Sequence, residues 1–238
     1  MSNIKNMMRW EFTLLKRYYI IHISILSVIL YFLSTQAIPD MNNEKFHTML
    51  LFFDPATVGL MFIGALVLFE KSENILQALV VTPMKVDDYL LSKIISLTIL
   101  SIISAAIFMT LLSVFGDVEF NLIYLALGIV FASMLMILIG FIIVSRIKSI
   151  NEYLFGIAIG FLGLTFPPML NISGLYENVI FYIWPTHASL TLFKGVFFSS
   201  GLETWEIAYG IGYQVFWIVL LYFLARKAFH KYIVLKGG

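Results

Sequence analysis

The chain has 238 residues, 61% of them hydrophobic and only 12% charged, with a formal net charge of +1. Soluble domains carry roughly one-quarter charged residues, so this composition excludes an ordinary soluble domain and selects the membrane class. There is no cysteine, which removes disulfides and thiol sites, and four scattered histidines give zinc no support.

Residues 1–19 open the chain as an amphipathic helix. Ile4, Met7, Met8, Phe12 and Leu15 share one face, with Lys5, Arg9 and Lys16 away from it. A basic helix carrying a tryptophan lies in the headgroup region, either as an anchor or as a surface for a cytosolic partner. The stretch lacks the short apolar core and small-residue cleavage site of a secretory signal.

Six apolar runs follow, of the order of the ~20 residues that cross a ~30 Å hydrocarbon core. They are Ile20–Ile38, Met49–Phe69, Tyr89–Phe115, Leu122–Val144, Tyr153–Leu170 and Ile207–Ala225. Asp54-Pro55 reads as a cap and first turn that shortens span two near its outer end, and His22 as an interfacial residue. Span three is long enough to tilt or project beyond the bilayer. Ser92, Ser96, Ser101 and Ser104 on it can bond across helices. Span five is expected to end or break at Pro167-Pro168. Its Gly156, Gly160 and Gly163 line one face and allow close helix approach, between subunits or within one.

The segment Glu70–Lys93 between spans two and three is too polar to cross and too apolar for a loose loop. Ile75, Leu76, Leu79 and Val80 recur at helical spacing while Glu73, Asn74 and Gln77 face elsewhere, which predicts a helix on the membrane surface. Thr82-Pro83 then caps and starts the next helix, Asp87 and Asp88 suit its dipole, and Lys93 can snorkel to the interface. Such an elbow, residues 70–88, can receive a push from a soluble protein; an inert reversal is the plainer alternative.

Residues 171–203 contain Val179–Trp184, too short to cross and too apolar for water, followed by Pro185 at a helix start. A pair of short helices dipping in from outside fits. Trp184, Pro185 and His187 would then stand at a gate or lateral exit, or in a packed cap.

With six spans both termini share a side. That side carries Lys5, Arg9, Lys16, Arg17, Lys71, Lys85, Lys93, Arg146, Lys148, Arg226, Lys227, Lys231 and Lys236, thirteen of the fifteen Lys and Arg, while Lys45 and Lys194 lie opposite. The asymmetry places both termini in the cytoplasm. The outer side is acidic, through Asp40, Glu44, Asp117, Glu119, Glu177, Glu203 and Glu206.

This order of parts resembles the permease subunit of type-two ABC exporters over essentially the whole chain. Phe69-Glu-Lys-Ser-Glu73, Thr82-Pro83 and Tyr89-Leu-Leu-Ser-Lys93 carry the likeness. It is nearest to small bacterial drug-export permeases, those for fluoroquinolones included. Asn74 departs from the pattern, standing where many members have glycine.

The resemblance implies one all-α transmembrane permease domain over residues 1–238 in the bacterial inner membrane. Glu70, Lys71, Glu73, Asn74, Leu76, Leu79, Thr82 and Pro83 would couple it to cytosolic ABC ATPase subunits. A second permease, identical or different, would complete the exporter among membrane lipids, without nucleic acid. ATP and Mg would sit on the partner ATPase, with no cofactor on this chain and no catalysis by it. The chain has no Gly-x-x-x-x-Gly-Lys-Ser/Thr phosphate loop, in agreement. The cargo would be an amphipathic or apolar drug, peptide or lipid. An ion-coupled carrier is the alternative, disfavoured by the lack of charge at mid-bilayer, and a non-transporting immunity or scaffold protein is another.

Overall fold

A computed structural model describes residues 2–37, 43–76, 85–116, 118–147, 149–198 and 201–234. Among them are α1 (Ser2–Arg17), α2 (Ile20–Ala37), α3 (Glu44–Thr57), a π-helical turn (Val58–Phe62), α4 (Ile63–Ser72), α5 (Val86–Gly116) and α6 (Leu122–Arg146). The chain continues through α7 (Ile150–Ser173), a 3-10 turn (Val179–Ile183), α8 (Pro185–Phe197), α9 (Thr204–Phe229) and a last π turn (His230–Val234). The described residues contain six helices long and apolar enough to span a membrane, one for each expected run.

Local chemistry sets most helix starts. The Asn43 side chain accepts from the Phe46 N–H, Asn121 from Ile123 and Tyr124, and Ser149 from Glu152, satisfying donors that have no intrahelical partner. Glu203 and Glu206 form a reciprocal capping box on α9. Tyr19, at φ 59°, breaks the chain between α1 and α2.

Two sequence expectations fail at prolines. Span two does not restart at Asp54-Pro55: Asn43 caps it eleven residues earlier, the span runs from Glu44 to Ser72, and Pro55 lies inside α3. The π turn directly follows, where the Leu60 carbonyl accepts from the Tyr153 hydroxyl. Span five does not end at Pro167-Pro168 either; α7 passes through both to Ser173. Each proline frees the carbonyl four residues back, at Gly163 and Leu164. The Trp184 indole N–H donates to Gly163 O at 2.9 Å, and the Thr186 hydroxyl to Leu164 O. The helix survives because the next segment supplies the missing donors.

α6 forms the centre, packed against α9, α8, the π turn, α5 and α4. Close approach falls on glycines the sequence did not single out. A Cβ on Gly64 would meet the Tyr153 ring, one on Gly59 the Met136 Cβ, and one on Gly140 the Ile63 side chain. α8, too short to cross, is buried among α6, α9, α3 and α7. In its apolar 18-residue stretch the span Glu44–Ser72 is 78% buried, against 22% for α2, 28% for α7 and 17% for the last span. These three present large apolar faces outward.

Candidate coupling site

The elbow's polar residues do not all face outward. Glu70 belongs to the last turns of α4, and its side chain is buried together with those of Glu11 and Lys93. The Lys93 ammonium reaches Glu70 Oε1 at 2.7 Å and the two Glu11 oxygens at 3.0 and 3.1 Å. Tyr89 donates its hydroxyl to the other Glu70 oxygen, and the Lys93 ammonium lies 4.8 Å from the Tyr89 ring centre. Lys93 therefore does not snorkel. Two carboxylates inside the fold hold its charge, replacing the water it would otherwise seek.

The cluster joins three helices, α1 through Glu11, α4 through Glu70 and α5 through Lys93 and Tyr89. Burial, opposed by Lys93 and reinforced by Glu70, pushes the Glu11 carboxyl up to about 7. With two carboxylates around one ammonium, a proton on Glu11 brings the cluster to net zero. Glu11 was not anticipated. It stands at helical spacing between Met7, Met8, Phe12 and Leu15, and an acid on an otherwise apolar face was the available signal.

Around this core the elbow is tied further. Lys71 donates to the carbonyls of Val144, Ser145 and Ile147 at 2.9–3.3 Å, so it binds the C-terminus of α6, where the helix dipole favours a cation. Glu73 accepts from the Tyr18 hydroxyl at 2.8 Å and from Arg17 at 3.3 Å. Tyr18 stacks on Phe69, and burial with the Glu73 contact raises its hydroxyl to about 12. Asp87 at the start of α5 pairs with Arg226 at 3.2 Å and accepts from Tyr222 at 2.9 Å, both on α9.

Asn74 takes φ 57°, in the left-handed region. Glycine enters that region without a Cβ penalty, and Asn is the side chain that tolerates it best. Asn74 thus takes a backbone turn that glycine could take as well. Of the coupling candidates, Leu76 is buried in the core, while Glu73 and Asn74 are exposed, as is the neighbouring Ser72. Leu79, Thr82 and Pro83 lie outside the described residues.

On the opposite face, Pro185 is the first residue of α8, as its spacing suggested. Trp184 and Thr186 hold α7 as described above. His187 is buried; its Nε2 lies 3.0 Å from Asn171 Oδ1, and its Nδ1 is 3.4 Å from the hydroxyls of Thr191 and Tyr209. Burial first, then the Lys194 charge, lowers it to about 4, which keeps the imidazole neutral at ordinary pH. The glycine face of α7 makes little contact inside the chain: among the described residues nothing lies within 4 Å of a Cβ placed on Gly160 or Gly163. Gly156 meets only Ile147 Cδ1, at 3.8 Å. Beside that face a groove of about 470 Å³ runs between α2, α3 and α7, lined by Tyr31, Phe53, Thr57, Leu154 and Phe161.

Six helices of membrane-spanning length and apolarity among the described residues make this a multi-pass membrane protein. The chain belongs to the fluoroquinolones export permease protein family, whose model matches residues 2–237. It is similar to the fluoroquinolones export permease proteins of two Mycobacterium tuberculosis strains, CDC 1551 / Oshkosh and ATCC 25618 / H37Rv. Each is 28% identical over 238 residues, covering 100% of this chain and 99% of the relative. No solved structure gives a significant match.

Proposed function

We propose that this chain is the membrane subunit of an ATP-driven exporter, paired with a second permease and with two cytosolic ABC ATPases. The observation that carries this reading is the anchoring of the elbow. Glu11, Glu70 and Lys93 lock α1, α4 and α5 together, and Asp87 with Arg226 adds α9. A force applied near Glu73 is thereby delivered to four helices rather than dissipated in a loop. Glu70 acts as a positioning residue within the cluster, and the exposed edge at Ser72, Glu73 and Asn74 offers the docking surface. The termini and this edge are cytoplasmic, in keeping with the basic asymmetry.

The second permease is placed against α2 and α7. Support comes from their low burial and from the uncontacted face at Gly160 and Gly163. The aromatic groove at Tyr31, Phe53 and Phe161 then lines a path suited to a planar amphipathic drug, of the kind for which the relatives are named. Trp184, Pro185 and His187 gate its outer end.

The chain lacks cysteine, so Ser72→Cys supplies a unique thiol for cross-linking in native membranes. The expected adduct is an ATP-hydrolysing protein, absent when the thiol is placed instead at Leu175→Cys on the far side. Fluoroquinolone efflux should stop on ATP depletion.

A second reading rests on Asp54. Within span two it is buried, and among the described residues its Oδ2 has no hydrogen-bond partner. An ionisable group at such a place marks ion or proton pathways, and it favours an ion-coupled carrier. Under that reading efflux survives ATP depletion, collapses with the proton gradient, and is abolished by Asp54→Asn.

A further inference from the structure

The face opposite the termini should be poor in basic residues, since Lys and Arg concentrate on the cytoplasmic side. Only Lys45 and Lys194 fall there in the six-span topology, one in the first turn of α3 and one in α8, and both line one cavity of about 520 Å³. That size lies within the ~300–1,000 Å³ of small-molecule sites. Glu177, Glu206 and Tyr182 share the lining.

The charges are paired in a specific way. Lys194 reaches Glu206 Oε1 at 3.0 Å, and the other Glu206 oxygen accepts from the Glu203 N–H in the capping box. An ammonium has three donors, so Lys194 retains protons for a further acceptor. Lys45 donates to Ser173 O at 3.2 Å. A Cβ on Gly174 would stand 2.8 Å from the Lys45 ammonium and 3.7 Å from a Glu177 oxygen, so both charges meet over the bare glycine of a left-handed turn. His187 in the wall is neutral and adds no charge. Two ammoniums and two carboxylates give the cavity zero net charge, with each ammonium near a carboxylate. A simple anion or cation would meet like charge as well as unlike.

The apolar segment that carries Val179 into the lining points to an amphiphile. Leu175, Val179, Ile180 and Ile183 are all exposed, Val179 at 82%, and Val179 also lines the cavity. Apolar side chains beside a charged cup, at the end of a membrane bundle, match the boundary between headgroups and acyl chains.

We propose that this cavity binds the headgroup of an ammonium-bearing phospholipid from the outer leaflet, its phosphodiester between Lys45 and Lys194 and its ammonium at Glu177 beside the Tyr182 ring. The shared chemistry is an ammonium–phosphodiester zwitterion, and the apolar segment selects the lipid over a soluble zwitterion. The site is independent of how the transporter is energised.

The test uses the purified full chain in detergent micelles and follows the fluorescence of Trp184 and Trp205. Dihexanoyl phosphatidylethanolamine, dihexanoyl phosphatidylglycerol and tailless glycerophosphoethanolamine are titrated separately. The expected result is phosphatidylethanolamine binding about tenfold or more tighter than either of the others. Lys45→Gln weakens it about tenfold, and Glu177→Gln erases the preference over phosphatidylglycerol while leaving the latter's binding intact. Both side chains are exposed, and unchanged melting of the variants separates a site effect from a folding effect. Equal binding of the two lipids, or variants that bind as the native chain does, overturns the proposal. Binding of the tailless compound as tight as the lipid's overturns the lipid assignment.

Discussion

Replacing Lys93 by methionine keeps most of its volume and removes the ammonium shared by Glu11 and Glu70. At an effective dielectric of ~20, contacts of 2.7 and 3.0 Å are worth about 6 and about 5.5 kcal/mol of Coulomb attraction. Desolvation of three buried ions and repulsion between the carboxylates cancel most of that sum. What the substitution exposes is the cost of a buried charge left unpaired, ~3–5 kcal/mol. Lys93→Met should therefore lose about that much stability in reversible SDS unfolding, followed by tryptophan fluorescence in mixed micelles. The triple variant Lys93→Met, Glu11→Gln, Glu70→Gln should recover to within ~1 kcal/mol of the native chain, because a neutral cluster no longer carries the desolvation cost. The sign with pH is also fixed. Glu11 is raised from 4.5 to about 7, chiefly by burial, so the fold holds its proton more tightly than the unfolded chain does. Its contribution is complete below 4.5 and is lost as pH rises through about 7. Glu11→Gln should flatten the stability profile across that window. A Lys93→Met protein as stable as the native one, or a profile unchanged by Glu11→Gln, would refute the assignment of a coupled ion cluster.

Other consequences follow from single contacts. Asn74→Gly should leave stability unchanged or slightly raised, while Asn74→Ala should cost ~1–2 kcal/mol, because the left-handed turn penalises an ordinary Cβ; SDS unfolding reads both. Gly64→Ala drives a methyl into the Tyr153 ring and should cost ~1–3 kcal/mol by overpacking, seen as a lower melting temperature. His187, lowered from 6.5 to about 4 chiefly by burial, contributes stability that is complete above 6.5 and lost as pH falls through about 4; His187→Gln should remove that acid-side slope in melting experiments. Trp184→Phe removes the indole donor to the exposed Gly163 carbonyl and should cost ~0.5–1.5 kcal/mol. Pro167→Ala restores a backbone N–H to the same carbonyl, so in that background Trp184→Phe should cost clearly less, a non-additivity that a double-mutant cycle measures.

The six spans were legible because length and apolarity are properties of a contiguous run, and a bilayer demands both. The polar break after α4, and Pro185 as a helix start, were legible for the same local reason. The failures share another cause. Proline rules predicted a break at Pro167-Pro168, yet the rescuing donors sit at Trp184 and Thr186, 21 and 22 residues from the carbonyls they serve. Lys93 read as an interfacial lysine because its partner Glu11 lies 82 residues earlier. Asp54-Pro55 satisfied the local cap rule, but Asn43 satisfied it first and the helix propagated through.

The distribution of these long-range contacts has a mechanical meaning. On the side of the termini, α1, α4 and α5 share a buried ion cluster whose disruption costs ~3–5 kcal/mol, so they are expected to move as one body. On the other side, α7 is bound to the start of α8 through the two proline-freed carbonyls, so α7 cannot swing without carrying α8 or breaking both hydrogen bonds. Between these bodies lies the groove of Tyr31, Phe53 and Phe161, bounded by α2, α3 and α7, where α2 and α7 are among the least buried spans. Under the proposed coupling, a displacement that the ATPase imposes at Glu73 passes through α4 into α3, and its compliance is expected at this groove. Cross-linking α2 to α7 through Tyr31→Cys and Phe161→Cys should therefore abolish efflux while leaving ATPase association intact. Undiminished efflux from the cross-linked protein would place the moving surface elsewhere.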